Sequence, residues 1–506
     1  MTAKPEQVPE SIAAKRPILE LLSQELLERI VAEAIDVLGK VGVLVEDEEA
    51  LAVLGDGGAA VDRKARRAFV PEDLVWRCVR SAPSAISVFS RDGEPALRLE
   101  GWNVHFDPGS AAIKILDPET LEARPAVSAD LVDLVRVTDA LPNLAAQSTA
   151  LVVSDVPHEI ADRHRLFLVL LNSSKPVVTG TFTVEGFAVM KEMLAAVAGG
   201  EQALRQKPPA IFDACPSPPL KWSRLTVQSL LECARSGLPA ELISMPLFGA
   251  TAPVTLAGAL VQHTAENLSG VVIHQLAGPG SPIIYGGSPA VFDMRHGTTA
   301  MGAMETAMVV CAYAQIGRFL GLPTHGYLGQ SDAKVVDFQA GLESSLGVTL
   351  AALAGVNVVS GAGMLEFESC QSLEKLVIDD EICGQALRLA RGIQGRGLPL
   401  AEDLWGDLGQ GDHFLTSPTT LRWLREELVF PGAVIDRQSR DRWRADGATT
   451  ALARARQRVR ELRAWHKPKP LADDVRRRLV EIMSADARRH GADQLPGVQA
   501  REGGPE

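Results

Sequence analysis

The sequence predicts an α/β fold: a (β/α)8 TIM barrel with an N-terminal helical and small-β covering segment and a C-terminal helical appendix. Three observations lead to this prediction. Seven short apolar strand candidates recur at roughly 25 to 40 residues, amphipathic helical stretches alternate with them, and polar loops follow the strands. Strand and helix alternating at this spacing predict a parallel sheet, and seven or more units in series favour a closed barrel over an open sheet.

The first part of the chain is predicted to form the covering layer. Residues 20–55 alternate apolar and charged positions at helical spacing, which indicates one or two amphipathic helices. Pro71 at a helix start and Pro83 beyond its end bracket another short helix. The dipeptide Asp92-Gly93 between short apolar runs is a hairpin signal.

The strand candidates of the main domain are short, apolar and followed by loops that present polar atoms. They are 147-QSTALVV-153, 176-PVVTGTF-182, 209-PAIFDAC-215, 240-AELISMPL-247, 282-PIIYGG-287, 322-LPTHGYL-328 and 356-VNVVSG-361. For the eighth strand, 103-NVHFD-107 is one candidate and an unassigned segment is the alternative. In a barrel the loops converge at the carboxyl ends of the strands. We therefore expect the polar stretch 329-GQSDAKVVDFQAGLES-344 to lie at the mouth of the cavity.

The last hundred residues lose the strand-and-helix rhythm. Segments 413–437 and 448–465 have helical patterns, and a further helix follows the Lys/Pro break at 467-KPKP-470. This helical appendix is expected to cap the barrel or to make subunit contacts. The predicted division of the chain is a covering segment, a barrel and a helical segment, at residues 1–110, 111–400 and 401–506.

Composition narrows the class of protein. A chain of 506 residues with 46% hydrophobic residues can bury a large core, and its net charge of -12 disfavours a nucleic-acid partner. The amino terminus lacks the apolar core of a signal peptide, and no apolar run is long enough to span a bilayer. Six scattered cysteines fit a reducing compartment. We expect a cytoplasmic protein with no membrane contact.

Several classes of site are not supported by any motif. There is no HExxH, no Cys pair at zinc spacing and no carboxylate-rich calcium loop, so no metal site is predicted. Neither a Walker loop nor a G-x-G-x-x-G pattern occurs, and no serine lies in a G-x-S-x-G elbow. Nucleotide binding and serine nucleophile chemistry are therefore not predicted.

Aromatic residues at the inferred strand ends are the first candidates for a binding site. The set comprises Phe182, Phe212, Phe248, Tyr285, Phe292, His325, Tyr327 and Phe338. Aromatic faces carry partial negative charge, which suits a quaternary ammonium group that has no N–H to donate. Core packing is the alternative for most of these rings, whereas a tyrosine at a barrel rim usually needs a partner for its hydroxyl.

Polar residues of the same region have competing interpretations. His325 is a candidate for binding a substrate carboxylate, or is a structural histidine. Asp332 and Asp337 are candidate cavity groups, or carboxylates that cap loops and helix starts. Lys334 suggests Schiff-base chemistry, with a plain ion pair as the alternative. Arg295 could hold an anion or form a structural salt bridge.

Six stretches that extend from mid-chain to the end carry a resemblance to a known family. They are 249-GATAPVTLAGALVQHTAENLSG-270, 282-PIIYGGSP-289, 293-DMRHG-297, 321-GLPTHGYLGQSDAKVVDFQAGLES-344, 413-HFLTSPTT-420 and 435-IDR-437. In these stretches the sequence resembles the trimethylamine:corrinoid methyltransferase family, whose members include glycine betaine:corrinoid methyltransferases. The resemblance implies a (β/α)8 barrel and methyl transfer from a methylated amine to the Co(I) centre of a corrinoid. That corrinoid is implied to belong to a separate partner protein docked over the barrel mouth, with no cofactor bound permanently to this chain.

The resemblance also implies which branch of the family to expect. Members that act on trimethylamine carry pyrrolysine in the region that matches 325-HGYLGQSD-332, and this chain has only standard residues. The non-pyrrolysine branch, with quaternary amines such as betaines as substrates, is therefore favoured. A quaternary nitrogen is already a good leaving group, so no residue has to activate it. The enzyme then needs a cavity for the cation, an anchor for the carboxylate, and alignment of one methyl group.

We predict site residues from position and chemistry. His325 and Asp332 are the predicted catalytic residues, with His325 at the carboxylate end of the substrate and Asp332 supplying charge. The predicted substrate-binding cage consists of Tyr285, Tyr327, Phe212 and Phe248. A homo-oligomer is expected. Two other functions stay open: a Schiff-base or enolising lyase with Lys334 as nucleophile, and a non-catalytic betaine-binding protein.

Overall fold

The structure is a computed structural model that describes residues 15–405, 413–492 and 494–497. The first fourteen residues, on which most of the signal-peptide expectation depends, lie outside the described parts of the chain.

The helices cover most of the predicted helical segments, but within 413–437 only Phe414–Thr416 and Pro418–Glu427 are helical. In chain order they are α1 (Gln24–Lys40), α2 (Glu48–Gly57), α3 (Glu72–Ser81), α4 (Ser128–Ala140), α5 (Ala161–Asn172), α6 (Gly186–Ala198), α7 (Glu201–Gln206), α8 (Arg224–Ser236), α9 (Leu256–Ala277), α10 (Met304–Phe319), α11 (Phe338–Ala354), α12 (Leu373–Ala390), α13 (Glu402–Trp405), α14 (Pro418–Glu427), α15 (Arg440–Ala445), α16 (Ala451–Trp465) and α17 (Asp473–Arg489). Short 3-10 turns cover His158–Ile160 and Phe414–Thr416.

The strands are short. They are β1 (Val43–Val45), β2 (Ala60–Asp62), β3 (Arg67–Phe69), β4 (Ile86–Phe89), β5 (Pro95–Leu99), β6 (His105–Asp107), β7 (Lys114–Leu116), β8 (Ala123–Pro125), β9 (Gln147–Ser148), β10 (Val177–Thr179), β11 (Ala210–Ala214), β12 (Lys221–Trp222), β13 (Ala240–Leu242), β14 (Leu247–Phe248), β15 (Ile283–Ile284), β16 (Ala290–Asp293), β17 (Thr298–Ala300), β18 (His325–Tyr327), β19 (Val358–Ser360), β20 (Met364–Leu365) and β21 (Cys370–Gln371).

Two parallel sheets form the centre of the fold. One has the strand order β15-β13-β11-β10-β9 and the other β18-β19-β6. Single parallel bridges connect Phe106 with Leu144 and Tyr285 with Thr324, which are residues next to the edge strands of the two sheets. Each predicted strand candidate contains one of these strands, and β6 lies within the eighth candidate. The predicted α/β class with parallel strands is confirmed.

Alternate residues of the central strands point to opposite sides. On β11, Phe212 packs against Phe187 of α6, with ring centroids 5.0 Å apart. Ile211 instead belongs to a buried cluster with Val178, Ile284 and other residues of the central strands. The period of two along a strand explains this division.

A hairpin covers one end of the central strands. Strands β4 and β5 pair antiparallel, and Gly93 in their turn has a φ of 79°, which glycine adopts without steric cost. Apolar side chains of this hairpin and of the central strands form one buried cluster: Ile86, Val88, Leu97, Leu99, Ala146, Val178, Ile211, Ile284 and Val358. The predicted hairpin is confirmed, and it lies on the amino-terminal side of the strands.

The remaining helices pack around this centre. Helices α1, α2 and α3 contact α9, which is the long helix between β14 and β15. Near the end of the chain, α16 packs against α4 and α12, and α17 packs against α5 and α6. Among the described residues, no helix is long and apolar enough to cross a membrane. The division of the chain at residues 110 and 400 stays a prediction.

Candidate active site

A cavity of about 230 Å³ lies at the carboxyl ends of the central strands. Its walls come from segments far apart in sequence. Most of them are loops that follow β6, β10, β11, β13 and β15, and one is the turn between β20 and β21. The lining residues are Ser110, Ala111, Gly180, Thr181, Phe182, Asp213, Cys215, Thr226, Ser229, Ile243, Met245, Ser288, Tyr327 and Glu368. A larger groove of about 700 Å³ lies on the outside, where α17 meets α6. The smaller cavity is the one lined by buried carboxyl groups.

Two aromatic rings line the cavity. Tyr327 at the end of β18 is held by its hydroxyl, which donates to the carbonyl of Ser110 at 3.1 Å and lies 3.2 Å from the Ser110 nitrogen. Phe182 is stacked between His158, with ring centroids 5.8 Å apart, and the guanidinium of Arg165, 4.3 Å from the ring centroid. Both rings are therefore held in place by neighbouring groups.

Glu368 reaches the cavity from a loop with an unusual backbone. Glu366, Phe367 and Glu368 have φ values of 51°, 57° and 68°, a left-handed conformation that is uncommon for residues with a Cβ. Such conformations cost about 1–3 kcal/mol each and are enriched at functional sites. Ser288 Oγ donates to Glu368 Oε1 at 2.8 Å. Burial, reinforced by the charge of Asp332, raises the pKa of Glu368 to about 7.

A second carboxyl pair lies deeper, beside the cavity floor. Asp213, a lining residue on β11, lies opposite Glu241 on the neighbouring strand β13, where the two buried carboxyl groups can share a proton. Two carboxyl groups can share a hydrogen bond only if one of them is protonated. Burial and mutual repulsion raise the pKa of Glu241 well above its usual range, and burial also raises the pKa of Asp213. Arg165 opposes the shift at Asp213 by its positive charge.

A polar chain connects the two parallel sheets below the cavity. His325 Nε2 lies 3.0 Å from Ser360 Oγ, which donates to Asp107 Oδ2 at 2.7 Å. Since the serine proton is directed at Asp107, Nε2 is assigned as the N–H that donates to Ser360. His325 Nε2 also lies 3.4 Å from Glu241 Oε1. Burial lowers the pKa of His325 to about 3, so the ring is neutral, and burial raises the pKa of Asp107 to about 7.

The polar stretch after β18 has mostly structural contacts. Asp332 Oδ1 accepts from the Met301 N–H at 2.9 Å, and burial raises the pKa of Asp332 to about 6. Lys334 Nζ donates to the Asp332 carbonyl at 2.7 Å and lies 3.9 Å from the Phe367 ring centroid. Asp337 caps α11, because its Oδ1 accepts from the N–H groups of Gln339 and Ala340.

Of the predicted cage, only Tyr327 lines the cavity. Tyr285 is fully buried, and its hydroxyl donates to Thr264 Oγ1 of α9 at 3.0 Å. Phe212 packs against α6, as described above. Phe248 is buried on β14 and is not among the lining residues. The structure thus brings Tyr327 together with Phe182, and it places the other three predicted rings in packed layers outside the cavity.

The other sequence candidates also have identified positions. His325 lies 5.2 Å from Tyr327, centroid to centroid, and is beneath the cavity rather than in its lining. Asp332 is outside the cavity lining, and its negative charge raises the pKa of Glu368. Arg295 forms an exposed ion pair with Asp293, at 2.7 Å. The structural salt bridge considered for Arg295 is therefore confirmed.

Sequence reasoning missed the carboxyl groups that dominate this site. They are Asp107, Asp213, Glu241 and Glu368. A signal for three of them was present, because each is an acid inside an otherwise apolar strand candidate: NVHFD, PAIFDAC and AELISMPL. Strands of a parallel sheet are buried on both faces, so an acid within one is a candidate functional group.

The chemistry of the cavity follows from its lining. Two carboxyl groups and two aromatic rings face a small volume, and hydroxyl groups complete the polar part of the wall. Carboxylates and ring faces both attract a cation. The volume is below the roughly 300–1,000 Å³ of pockets that hold drug-sized ligands, so the geometry fits a small cation. Among the described residues, no group of three or more His, Cys, Asp and Glu is arranged to hold a metal ion.

Comparison with known proteins gives a consistent family. A family model described as trimethylamine methyltransferase (MTTB) matches residues 1–491. The trimethylamine methyltransferase MttB of Desulfitobacterium hafniense (strain DSM 10664 / DCB-2) is 31% identical over 469 residues, which cover 93% of this chain and 94% of that protein. The MttB of Methanosarcina thermophila is 33% identical over 465 residues, covering 90% and 95%.

A relative named for a different substrate also matches over nearly its whole length. The glycine betaine methyltransferase of Desulfitobacterium hafniense (strain Y51) is 29% identical over 479 residues, which cover 94% of this chain and 99% of that protein. The sequence of this chain has only standard residues, consistent with the non-pyrrolysine branch expected from the resemblance. From the extent of the family match and the identity to its members, the chain belongs to the trimethylamine methyltransferase (MTTB) family.

Proposed function

We propose that this protein transfers a methyl group from a small quaternary amine to the Co(I) corrinoid of a separate corrinoid protein. The observation that carries the proposal is the cavity at the carboxyl ends of the central strands. Its lining combines Tyr327 and Phe182 with the carboxyl groups of Asp213 and Glu368. Family membership supports methyl transfer from a methylated amine, and the similarity to named methyltransferases supports an enzyme.

The proposal includes a closed (β/α)8 barrel formed by the two parallel sheets. Eight parallel strands contribute to them, in the order β6, β9, β10, β11, β13, β15, β18 and β19. The bridges Phe106–Leu144 and Tyr285–Thr324 support closure, because each connects an edge of one sheet to an edge of the other. In barrel enzymes the site lies at the carboxyl ends of the strands, as this cavity does.

The proposed reaction needs no acid or base. The electron pair of Co(I) attacks one methyl carbon, the C–N bond breaks with its pair going to nitrogen, and the amine leaves as a neutral tertiary amine. The nitrogen is positively charged in the substrate and neutral in the product, so a carboxylate stabilises the substrate more than it stabilises the transition state. The carboxyl groups therefore contribute to binding, and the rings and walls orient one methyl group toward the open end.

The partner is proposed to dock at the open end of the cavity. Met245 lines the cavity and is partly exposed, and Val254, Met294 and Phe338 are exposed apolar residues in the loops and helix start that follow β14, β16 and β18. Methionine is common at adaptable docking surfaces. A cytoplasmic location is also proposed. For a homo-oligomer, the support is the exposed apolar side chains after α12, among which is Ile393.

A lyase that uses Lys334 has less support from the geometry. Lys334 is not a lining residue, and its ammonium is engaged by a backbone carbonyl and the Phe367 ring. The buried lysine nearest in sequence to the Glu368 loop, Lys375, is in an ion pair with Asp379 at 2.6 Å. A non-catalytic betaine-binding protein would have the same cavity, and it is separated from an enzyme by the experiment below.

The test is a cobalt assay with the purified full-length chain. Chemically reduced cobalamin is the acceptor, loss of the Co(I) absorbance is the readout, and glycine betaine, choline, tetramethylammonium and trimethylamine are the donors. We expect at least one quaternary amine to methylate cobalt and trimethylamine to be inactive. Binding of a quaternary amine without any cobalt methylation would support the binding protein. A response to trimethylamine alone would contradict the proposed branch.

A further inference from the structure

We infer that the substrate is a quaternary ammonium ion whose tail carries no carboxylate, so that choline represents the substrate class better than glycine betaine. This inference rests on the proposed function and narrows its substrate. Choline and glycine betaine are nearly the same size and share the trimethylammonium group. They differ at the tail, which is a neutral CH₂OH in choline and an anionic carboxylate in glycine betaine.

The charge of the lining is the first argument. Of the fourteen lining residues, all of which lie in described parts of the chain, two are acidic and none is Lys, Arg or His. Beneath them, Glu241 and Asp107 add two more buried carboxyl groups. A substrate carboxylate in this cavity would face groups of like charge without a cation to pair with. A buried anion without a partner is strongly disfavoured.

The two groups that could anchor a carboxylate lie outside the cavity lining, although Arg165 Nε and His325 Nδ1 have no hydrogen-bond partner among the described residues. His325, the carboxylate anchor predicted from the sequence, has its Nε2 beside Ser360 and Glu241 and lies outside the lining. Arg165 donates from Nη1 to the Thr149 carbonyl at 2.7 Å, and its guanidinium packs on the Phe182 ring. Neither is part of the cavity wall, so each would have to break these contacts to reach a substrate carboxylate.

Hydroxyl groups supply the polar part of the wall that a neutral tail needs. Ser110 and Ser229 line the cavity, and neither Oγ atom has a hydrogen-bond partner among the described residues. Ser229 lies on α8 and is nearly fully buried. Buried polar groups are normally paired, so an unpaired hydroxyl in a cavity wall is an expected contact for a ligand. A substrate hydroxyl can both donate to and accept from such groups.

The direct test is binding, which does not depend on the corrinoid partner. Isothermal titration calorimetry with the full-length chain would compare choline, glycine betaine and tetramethylammonium, the last of which has the cation but no tail. We expect choline to bind at least about 100-fold more tightly than glycine betaine, because like-charge contacts are rejected strongly. Glycine betaine binding as tightly as choline would overturn the inference.

A matched pair of variants tests the cause of the preference. Met245 lines the cavity and is 37% exposed, so a longer polar side chain there is tolerated. Met245→Lys supplies the missing cation, and Met245→Gln is the neutral control of similar size. We expect the choline-to-betaine affinity ratio to be at least about tenfold smaller in the Lys variant than in the Gln variant. Equal ratios in the two variants would overturn the inference.

The cobalt assay keeps this inference separate from the proposed function. Methylation of cobalt by glycine betaine in preference to choline would leave the proposed function standing and overturn the inference. Preferential binding of choline without cobalt methylation would support the inference about the ligand and overturn the proposed methyl transfer. Absence of binding by all three cations would overturn both.

Discussion

The two ends of the central strands differ in chemistry although the same strands build both. At the amino-terminal end, Ile211, Val178 and their neighbours form an apolar cluster under the β4–β5 hairpin. At the carboxyl end, carboxyl groups, hydroxyls and rings surround the cavity. Ile211 and Asp213 are two residues apart on β11 and lie on the same side of the strand. Two residues along one strand therefore separate a side chain that stabilises the fold from one that lines the cavity.

This difference explains why the carboxyl end can carry strained and unpaired groups. The Glu366–Glu368 backbone is left-handed, and Ser110, Ser229 and His325 each have a side-chain atom without a partner. Such features lower stability unless the surrounding structure holds them in place. The apolar end, together with the helices around the sheets, supplies that support. The two regions should therefore respond differently to substitution, and three predictions test this.

The largest expected effect is a loss of stability caused by a substitution at the apolar end of the strands. Ile211 is 1% exposed, and Ile211→Ala removes three buried carbon atoms and leaves a cavity. The free energy of unfolding should fall by about 3 kcal/mol, within the range of about 2–5 kcal/mol for such changes. The KM of the folded enzyme for its quaternary amine should change by less than about threefold, because Ile211 is outside the lining. Urea unfolding and steady-state kinetics measure the two quantities.

The control for this prediction is a chemically identical change on the surface. Ile18 is 50% exposed and belongs to none of the buried clusters, so Ile18→Ala should lower the free energy of unfolding by no more than about 1 kcal/mol. The comparison between the two ends breaks down if Ile211→Ala raises KM strongly while unfolding is unchanged. That outcome would place the apolar cluster within the binding site.

The second effect, on binding, comes from the carboxyl end. Asp213→Asn removes a charge from the cavity wall, and the KM for the quaternary amine should rise by about 100-fold, equivalent to about 2.7 kcal/mol. The kcat should change by less than about tenfold, because nitrogen loses its charge as the C–N bond breaks. The midpoint of thermal unfolding should change little, because the lower burial cost of a neutral amide offsets the lost attraction to Arg165.

Asp293→Asn is the matched control, because Asp293 carries the same charge in the ion pair with Arg295, outside the cavity. Its KM should stay within about twofold of the native value, since its effect is limited to an exposed pair. Equal increases of KM in the two variants would indicate that net charge alone attracts the substrate. In that case the cavity acids would not form the cation site.

The sequence predicted the secondary structure well wherever the spacing of apolar residues or a local turn signal determines it. The strand candidates, the Pro71–Pro83 helix and the Asp92-Gly93 hairpin all follow from local chemistry, and the structure has them. The site was harder, because side chains on neighbouring strands meet only when the register is known. Tyr285 and Tyr327 both end strands, yet Tyr285 contacts α9 and Tyr327 faces the cavity. A shift of one residue in phase exchanges the two faces of a strand.

The acids were missed for a related reason. An acid inside an apolar strand looks like an exception to the pattern, although burial makes it the most informative residue there. Glu368 had no comparable signal, because its position depends on a left-handed loop of residues that all carry a Cβ. No local preference predicts that conformation. Its presence at the cavity could be found only from the fold.

The smallest predicted effect is a pH dependence that arises at the carboxyl end alone. Glu368 has a pKa near 7, because burial and the charge of Asp332 outweigh the hydrogen bond from Ser288. A quaternary amine keeps its charge at every pH, so only the protein titrates. As pH rises through 7, Glu368 loses its proton and becomes an anion, and binding of the cation should tighten. Between pH 6 and pH 8 the Kd of tetramethylammonium should fall by about tenfold, the change in the ionised fraction of a group with this pKa.

Other titratable groups near Glu368 allow this change to be assigned. Asp213 has a pKa of about 6 and is mostly ionised by pH 7, and Asp107, with a pKa of about 7, lies outside the cavity lining. Burial raises the pKa of Tyr327 and of Cys215 far above this range, so both stay neutral, whereas Asp332 has a pKa of about 6 and is ionised by pH 7. Glu368→Gln should therefore lose most of the change above pH 7, while Ile211→Ala should keep the native profile. Calorimetric titrations at pH 6, 7 and 8 measure it. A native Kd that stays constant within twofold would mean that Glu368 does not contact the cation, and the attraction would then have to come from Asp213 and the rings.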